Sequence, residues 1–215
     1  MLQYKAAIFD MDGVIVDNHN YHVKAWASFC KNHRIPFSEQ SFRTKYFGKS
    51  NRDILPDLTN SKLSQNAIDE LAEEKELIYR NIYRDDIKSV SGFKSFIAKL
   101  REQGIKTAIA TSAPTSNLNF VLDQLCIRDM FDAVVDSSMV KECKPDPEIY
   151  LKASEIIGIA PKECIVFEDS ISGIQSAHNA GMGVIALITT HKAEELPKTY
   201  MQVYDFTEVP ENMFY

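Results

Sequence analysis

Short, unbroken apolar runs recur along the chain: Ala6–Phe9, Ala108–Ala110, Ala133–Val135, Ile165–Phe167 and Val184–Ile188. None alternates apolar with polar residues. Continuous runs of this kind suit strands buried on both faces, as in a parallel sheet covered by helices. Between them, apolar residues fall at helical spacing. Phe93, Phe96, Ile97 and Leu100 form one stripe, and Leu118, Val121, Leu122 and Leu125 a second. Ile149, Ala153 and Ile156 form a weaker third. Such stripes let a helix bury one side against a sheet. Gly104, Gly158 and Gly181 follow three helical segments, where glycine readily takes the left-handed conformation that closes a helix. The alternation predicts an α/β fold: a doubly wound, Rossmann-like parallel sheet.

Residues 18–86 break the alternation. Val23, Trp26 and Cys30 mark one helical face, and Ile68, Leu71, Ile78 and Ile82 another in a highly charged segment. No strand pattern is visible there. The expected organisation is a core of residues 1–17 and 87–215, interrupted by a helical domain of residues 18–86. Short connections near Val16–Asn18 and Asp85–Ser89 would let the insertion move over the core.

Composition narrows the function. The 215 residues are 45% hydrophobic and 25% charged, ordinary for a globular protein. Net charge is −6, without the basic footprint of a duplex nucleic-acid binder. An anionic ligand must then be held locally. No apolar run approaches the roughly 20 residues of a membrane span, and the N-terminus lacks a signal-peptide pattern. Cys30, Cys126, Cys143 and Cys164 form no CxxC pair and read as free thiols. The expectation is a soluble, cytoplasmic protein, monomeric or a weak homodimer, with neither nucleic-acid nor membrane partners.

Four features carry chemistry. Asp10 and Asp12 end the first strand pattern in Phe9-Asp10-Met11-Asp12-Gly13-Val14. The carboxyl ends of strands line the ligand crevice of such sheets, and acids there need a positive partner. Glu168 and Asp169 end Ile165-Val166-Phe167-Glu168-Asp169-Ser170 in the same way. Asp169 or Ser170 could simply cap the helix that follows, but several carboxylates at neighbouring strand ends are better explained by a hard divalent cation such as Mg²⁺. Thr111, Ser112 and Ala113 end a third strand before a helix expected to begin near Ser116 or Asn117, a place suited to an anion. Lys144 precedes Pro145 in a segment that cannot be helical, and its compact charge suits a phosphate or a carboxylate. Their order is as informative as their chemistry. Thr111 lies 99 positions after Asp12, Lys144 33 after Thr111, and Asp169 25 after Lys144. The first interval contains the insertion, and the others are βα-unit lengths.

Taken together, these motifs resemble those of the haloacid dehalogenase superfamily of phosphohydrolases, over nearly the whole chain. Glu168-Asp169-Ser170 followed by Gly173, Ile174, Gln175, Ala177 and Ala180-Gly181 is similar to the branch with β-phosphoglucomutase and small-metabolite phosphatases. The resemblance implies a helical cap on a Rossmann-like core. It implies that Asp10 is the nucleophile, forming an aspartyl-phosphate, and that Asp12 is the general acid and then base. Thr111 and Lys144 would hold the phosphoryl oxygens. Mg²⁺ would be held by Asp10, the Asp12 carbonyl and Asp169, with Glu168 bound directly or indirectly. The metal-free dehalogenases lack the Asp12 equivalent, so that branch is disfavoured.

For the cap, the resemblance points to His22 in Tyr21-His22-x-x-Ala25-Trp26, and to Gly48, Lys49, Asn51 and Arg52 as substrate-binding candidates. The basic segment Arg43–Asp53 could attract an anion. In the mutase, however, Phe47 is a lysine and Asn51 is the arginine that binds a second phosphate. Arg52 is one position away, which on a helix turns the side chain by about 100°. The expected function is therefore a Mg²⁺-dependent phosphatase of a small phosphorylated metabolite, with a sugar phosphate preferred. A phosphosugar mutase is the alternative. A non-catalytic phospho-receiver or ligand-binding protein is third, since receivers lack the insertion and the DxD spacing.

Overall fold

The computed structural model describes residues 4–46 and 50–214. The chain divides into two compact units, residues 1–17 with 88–215, and residues 18–87. The second crossing lies one residue later than the sequence pattern suggests.

In chain order the elements are strand β1 (Ala6–Phe9), helices α1 (His19–Asn32), α2 (Glu39–Tyr46), α3 (Asn51–Leu58), α4 (Gln65–Tyr83) and α5 (Phe93–Glu102), then β2 (Lys106–Ala110) and α6 (Thr115–Leu125). They continue with β3 (Ala133–Val135), α7 (Glu148–Ile157), β4 (Cys164–Glu168), α8 (Ile171–Asn179), β5 (Gly183–Leu187) and β6 (Met201–Val203).

The larger unit is a six-stranded sheet in the order β3-β2-β1-β4-β5-β6, parallel throughout. β1 pairs with β2 on one side and β4 on the other, Phe9 standing level with both Ile109 and Phe167. Successive strands therefore wind away from β1 in opposite directions, which opens the switch-point crevice at its carboxyl end. Both faces are buried, as the continuous apolar runs require. On one face Ile8, Ala108 and Val166 pack with Ile149, Tyr150 and Ala153 of α7 and Ile174 and Ala177 of α8. On the other, Phe9 stacks on Phe167 at 4.8 Å and meets Phe93 of α5 edge-on at 5.6 Å.

Helix ends follow the sequence closely. Gly104, Gly158 and Gly181 take positive φ of 75°, 70° and 74°. α6 begins at Thr115, slightly earlier than expected, with Pro114 rather than a hydroxyl side chain at its N-cap. Ser170 does cap α8, accepting from the Gly173 N–H at 3.0 Å. The edge strand β6 is too short and mixed in polarity to be read from the pattern.

The smaller unit is helical. Trp26, Phe29, Cys30, Phe42, Tyr46, Ile54 and Leu55 form its core. The aliphatic face expected on α4 does pack against that core, but it is not the deepest part of the helix. Ile68, Leu71 and Ile78 of α4 are only partly buried against that core, and the residues α4 buries most are Lys75, Glu76, Tyr79 and Tyr83. The helix is rotated towards polar partners, so its deepest face is not its aliphatic one.

Candidate active site

Asp10, Glu168 and Asp169 sit where the buried strands β1 and β4 run out. Asp10 directly follows β1, and its N–H continues the ladder by donating to the Phe167 carbonyl at 3.0 Å. The register brings Asp10, Ala110 and Glu168 to one level across three strands. The Lys144 ammonium lies among them. It donates to Asp10 Oδ1 at 2.6 Å, Glu168 Oε1 at 2.8 Å, the Tyr150 hydroxyl at 3.0 Å and the Ala110 carbonyl at 3.1 Å. The segment carrying Lys144 is tied to α8, since Ser176 Oγ donates to the Asp146 carbonyl and Asn179 Nδ2 to that of Pro145.

Glu168 is saturated. Its Oε1 accepts from Lys144 and Tyr150. Its Oε2 accepts from the N–H groups of Asp169 and Ser170 and from Ser170 Oγ. The carboxylate fits there because α8 carries Gly173, where a Cβ would overlap Glu168 Oε1. Asp169 lies beside Gly13, at φ 80°, where a Cβ would overlap Asp169 Oδ2. Thr111 is buried, its N–H donating to the Val135 carbonyl and its Oγ1 accepting from the Ala113 N–H at 3.1 Å. It closes the turn before α6 and does not cap the helix. Ala113 is buried, Ser112 exposed and Asp12 half-buried.

Two buried carboxylates, Asp10 and Glu168, thus share the Lys144 side chain, and a third, Asp169, is buried nearby without pairing with it. Burial raises Asp10 to about 7, with Glu168 and Asp12 adding to the rise and Lys144 opposing it. Burial, then Glu168 and Asp10, push Asp169 well above the usual carboxylate range. Glu168 goes the other way: burial opposes its charge, but Lys144 and the Ser170 donors hold its carboxyl below the ordinary value. Lys144 stays protonated because Asp10, Glu168 and Tyr150 outweigh its burial. Asp10 and Asp169 are therefore the acids that hold their protons most tightly, and once ionised they are hard oxygen donors of the kind a divalent cation takes. Among the described residues no three His, Cys, Asp or Glu side chains converge as a ready metal cluster. Mg²⁺ commonly takes one or two carboxylates and completes its shell with water and substrate oxygens. Asp10 and Asp169 are donors that fit such an ion, whereas both Glu168 oxygens already accept hydrogen bonds.

The helical unit holds a second polar cluster. His22 stacks on Tyr79 with ring centroids 3.9 Å apart, and the Lys75 ammonium donates to its Nδ1 at 3.1 Å. Lys75 also pairs with Glu76 at 2.6 Å, both side chains being almost fully buried, and lies 5.1 Å over the Trp26 ring. Asn51 Nδ2 donates to Glu76 Oε1 at 2.7 Å. Burial opposes Glu76's charge, but Lys75, His22 and Asn51 bring its carboxyl down to about 2. Burial, then the Lys75 charge, lower His22 to about 3, so the ring is neutral. His22 and Asn51 are brought together through Lys75 and Glu76, while Arg52 is exposed. Lys45 of the basic segment is paired with Asp57 at 2.7 Å. Gly48 and Lys49 lie outside the described residues.

Sequence reasoning passed over Tyr150, Lys75 and Glu76. Tyr150 sits inside an apolar helical stripe and reads as core, where its ring indeed lies. Lys75 and Glu76 read as solvated charge in a charge-rich helix. No local signal separates a buried charged pair from an exposed one.

Acids and a lysine gathered at the switch point of a parallel sheet define a doubly wound α/β protein whose ligand crevice lies at the strand ends. More specifically, the chain belongs to the haloacid dehalogenase-like hydrolase family, whose sequence model matches residues 7–187. It is 29% identical over 206 residues to a validoxylamine A 7'-phosphate phosphatase of Streptomyces hygroscopicus subsp. limoneus, covering 96% of each chain. It is equally 29% identical over 192 residues to a beta-phosphoglucomutase of Bacillus subtilis (strain 168), covering 85% of this chain and 83% of the other. Among solved structures, it matches a family IA, variant 3 hydrolase from Entamoeba histolytica HM-1:IMSS. There the TM-score is 0.91 at 30% identity, over 98% of this chain and 97% of that one. No helix among the described residues is long and apolar enough to cross a membrane.

Proposed function

We propose that this chain is a Mg²⁺-dependent phosphatase of a small phosphorylated metabolite of the sugar-phosphate class. The observation carrying the proposal is the buried Asp10 carboxylate, held 2.6 Å from Lys144 among more buried acids than one lysine can neutralise. A divalent cation held by Asp10, the Asp12 carbonyl and Asp169 would supply charge neutralisation for the phosphoryl group.

In this reading an Asp10 carboxylate oxygen bonds to phosphorus as the bond from phosphorus to the leaving oxygen breaks, giving an aspartyl-phosphate. Asp12 delivers a proton to that oxygen. It then takes one from the water that attacks the intermediate, releasing inorganic phosphate and restoring Asp10. Lys144 and the turn at Thr111 hold the equatorial oxygens in place, the positioning that phosphoryl transfer needs most. Ser112 and Ala113 flank that turn as binding candidates. In this reading the helical unit contributes substrate selection through His22 and its neighbours.

A relative of each kind at equal identity leaves phosphatase and mutase to be separated by side chains. A mutase must anchor a second phosphate. At Asn51 the helical unit presents an amide tied to a buried carboxylate, and Lys75 is already paired with that carboxylate. This favours the phosphatase. A phosphate-release screen across phosphorylated metabolites, with Mg²⁺ or with EDTA, tests the proposal. It should include β-glucose 1-phosphate with and without a bisphosphate primer. Metal-dependent phosphate release is expected; conversion to glucose 6-phosphate would install the mutase instead, and no turnover of any compound would overturn both.

A further inference from the structure

Tyr150 is fully buried in α7, and its ring belongs to the core beneath the sheet. A phenylalanine would fill that space equally well. Its hydroxyl, however, is committed at both ends. Lys144 can only donate and an ionised Glu168 can only accept. The phenol oxygen therefore accepts from the Lys144 ammonium at 3.0 Å, and its proton points to Glu168 Oε1, also at 3.0 Å. The same Glu168 oxygen accepts from Lys144 at 2.8 Å. Two anions thus compete for one ammonium, and the phenol both contacts that ammonium and occupies part of its competitor.

We propose that Tyr150 is a positioning residue: its hydroxyl fixes the Lys144 ammonium against Asp10 by donating to Glu168 Oε1, the competing acceptor, and by adding a fourth acceptor around the three N–H donors. The backbone of the lysine segment is already fixed by Ser176 and Asn179, so the part left to move is the charged tip, which the hydroxyl helps to hold together with Asp10, Glu168 and the Ala110 carbonyl. Small displacements of a phosphoryl-holding group are costly, and a shift of about 1 Å can cost a hundredfold.

The inference rests on the phosphatase reading for its kinetic part only. Tyr150→Phe keeps the ring and removes the hydroxyl. In the whole chain with Mg²⁺, kcat is expected to fall about tenfold. KM should change by less than about twofold, and the thermal midpoint should stay within about 4 °C. Independently of turnover, exchange of the Lys144 ammonium protons with water, followed by ¹⁵N-detected NMR, should accelerate at least about tenfold when the buried hydrogen bond is lost. A variant with kcat and ammonium exchange both within twofold of wild type would overturn the assignment. So would a fall in kcat matched by a larger loss of thermal stability, which would make Tyr150 merely structural. If the wild-type chain releases no phosphate, the functional reading fails while the exchange measurement still decides the role of Tyr150.

Discussion

Among the described residues two buried lysine–carboxylate clusters stand out, and they differ in stoichiometry. In the helical unit one lysine, Lys75, meets one acid, Glu76, with a neutral histidine and an amide beside them. The charges balance, and Glu76 sits at about 2. In the core unit one lysine, Lys144, serves Asp10 and Glu168, with Asp169 next to them, and Asp10 rises to about 7. A balanced pair is complete in itself. An unbalanced cluster must take up protons or another cation. Burial is similar in the two, so it is the count of charges that distinguishes a recognition or structural cluster from a reactive one.

Breaking the unbalanced cluster should be the most damaging. Asp10→Asn is expected to lower phosphate release by at least about a thousandfold while circular dichroism stays unchanged, because the nucleophile is gone. Turnover above a few per cent would refute that assignment. Lys144→Ala should cost about a hundredfold in kcat. It should also make thermal stability strongly dependent on added Mg²⁺, since only a bound cation then offsets the buried acids; a midpoint indifferent to Mg²⁺ would count against this.

The balanced pair should respond differently. Glu76→Gln leaves Lys75 buried without its counter-charge and is expected to destabilise folding by about 3 kcal/mol in urea titrations. Replacing both members, as in Lys75→Met with Glu76→Leu, should recover most of that loss. Equal destabilisation by the single and double changes would show that the pair's geometry, not its balance, matters.

The smallest expected effect is the pH response of His22. Its folded value of about 3 lies below the ordinary 6.5. Between those values the unfolded chain binds the extra proton, so stability rises with pH and is lost as pH falls. The slope is at most about 1.4 kcal/mol per pH unit. Below about 4.5, protonation of Glu76, whose folded value is about 2, adds to the loss. His22→Gln should flatten the stability profile between pH 6.5 and 4.5, and an unchanged slope there would refute the His22 contribution.

The sheet was legible because strands buried on both faces must be apolar at successive positions, and only the short edge strand at Met201–Val203 escaped that rule. The core acids were legible because a carboxylate directly after a buried strand is conspicuous. The helical unit's polar centre was not: Lys75 and Glu76 look like solvent-facing neighbours, and only the rotation of α4 reveals that they are inside. Tyr150 was hidden for the opposite reason, as a polar atom on a ring that packs like any other core residue.

The central claim is that the core cluster has room for one more cation and the helical cluster does not. Isothermal titration of the whole chain with Mg²⁺, without substrate, tests it directly. The account predicts saturable binding at one site, lost in Asp169→Asn and retained in Glu76→Gln. Absence of binding in the wild-type chain, or binding that survives Asp169→Asn unchanged, would contradict it.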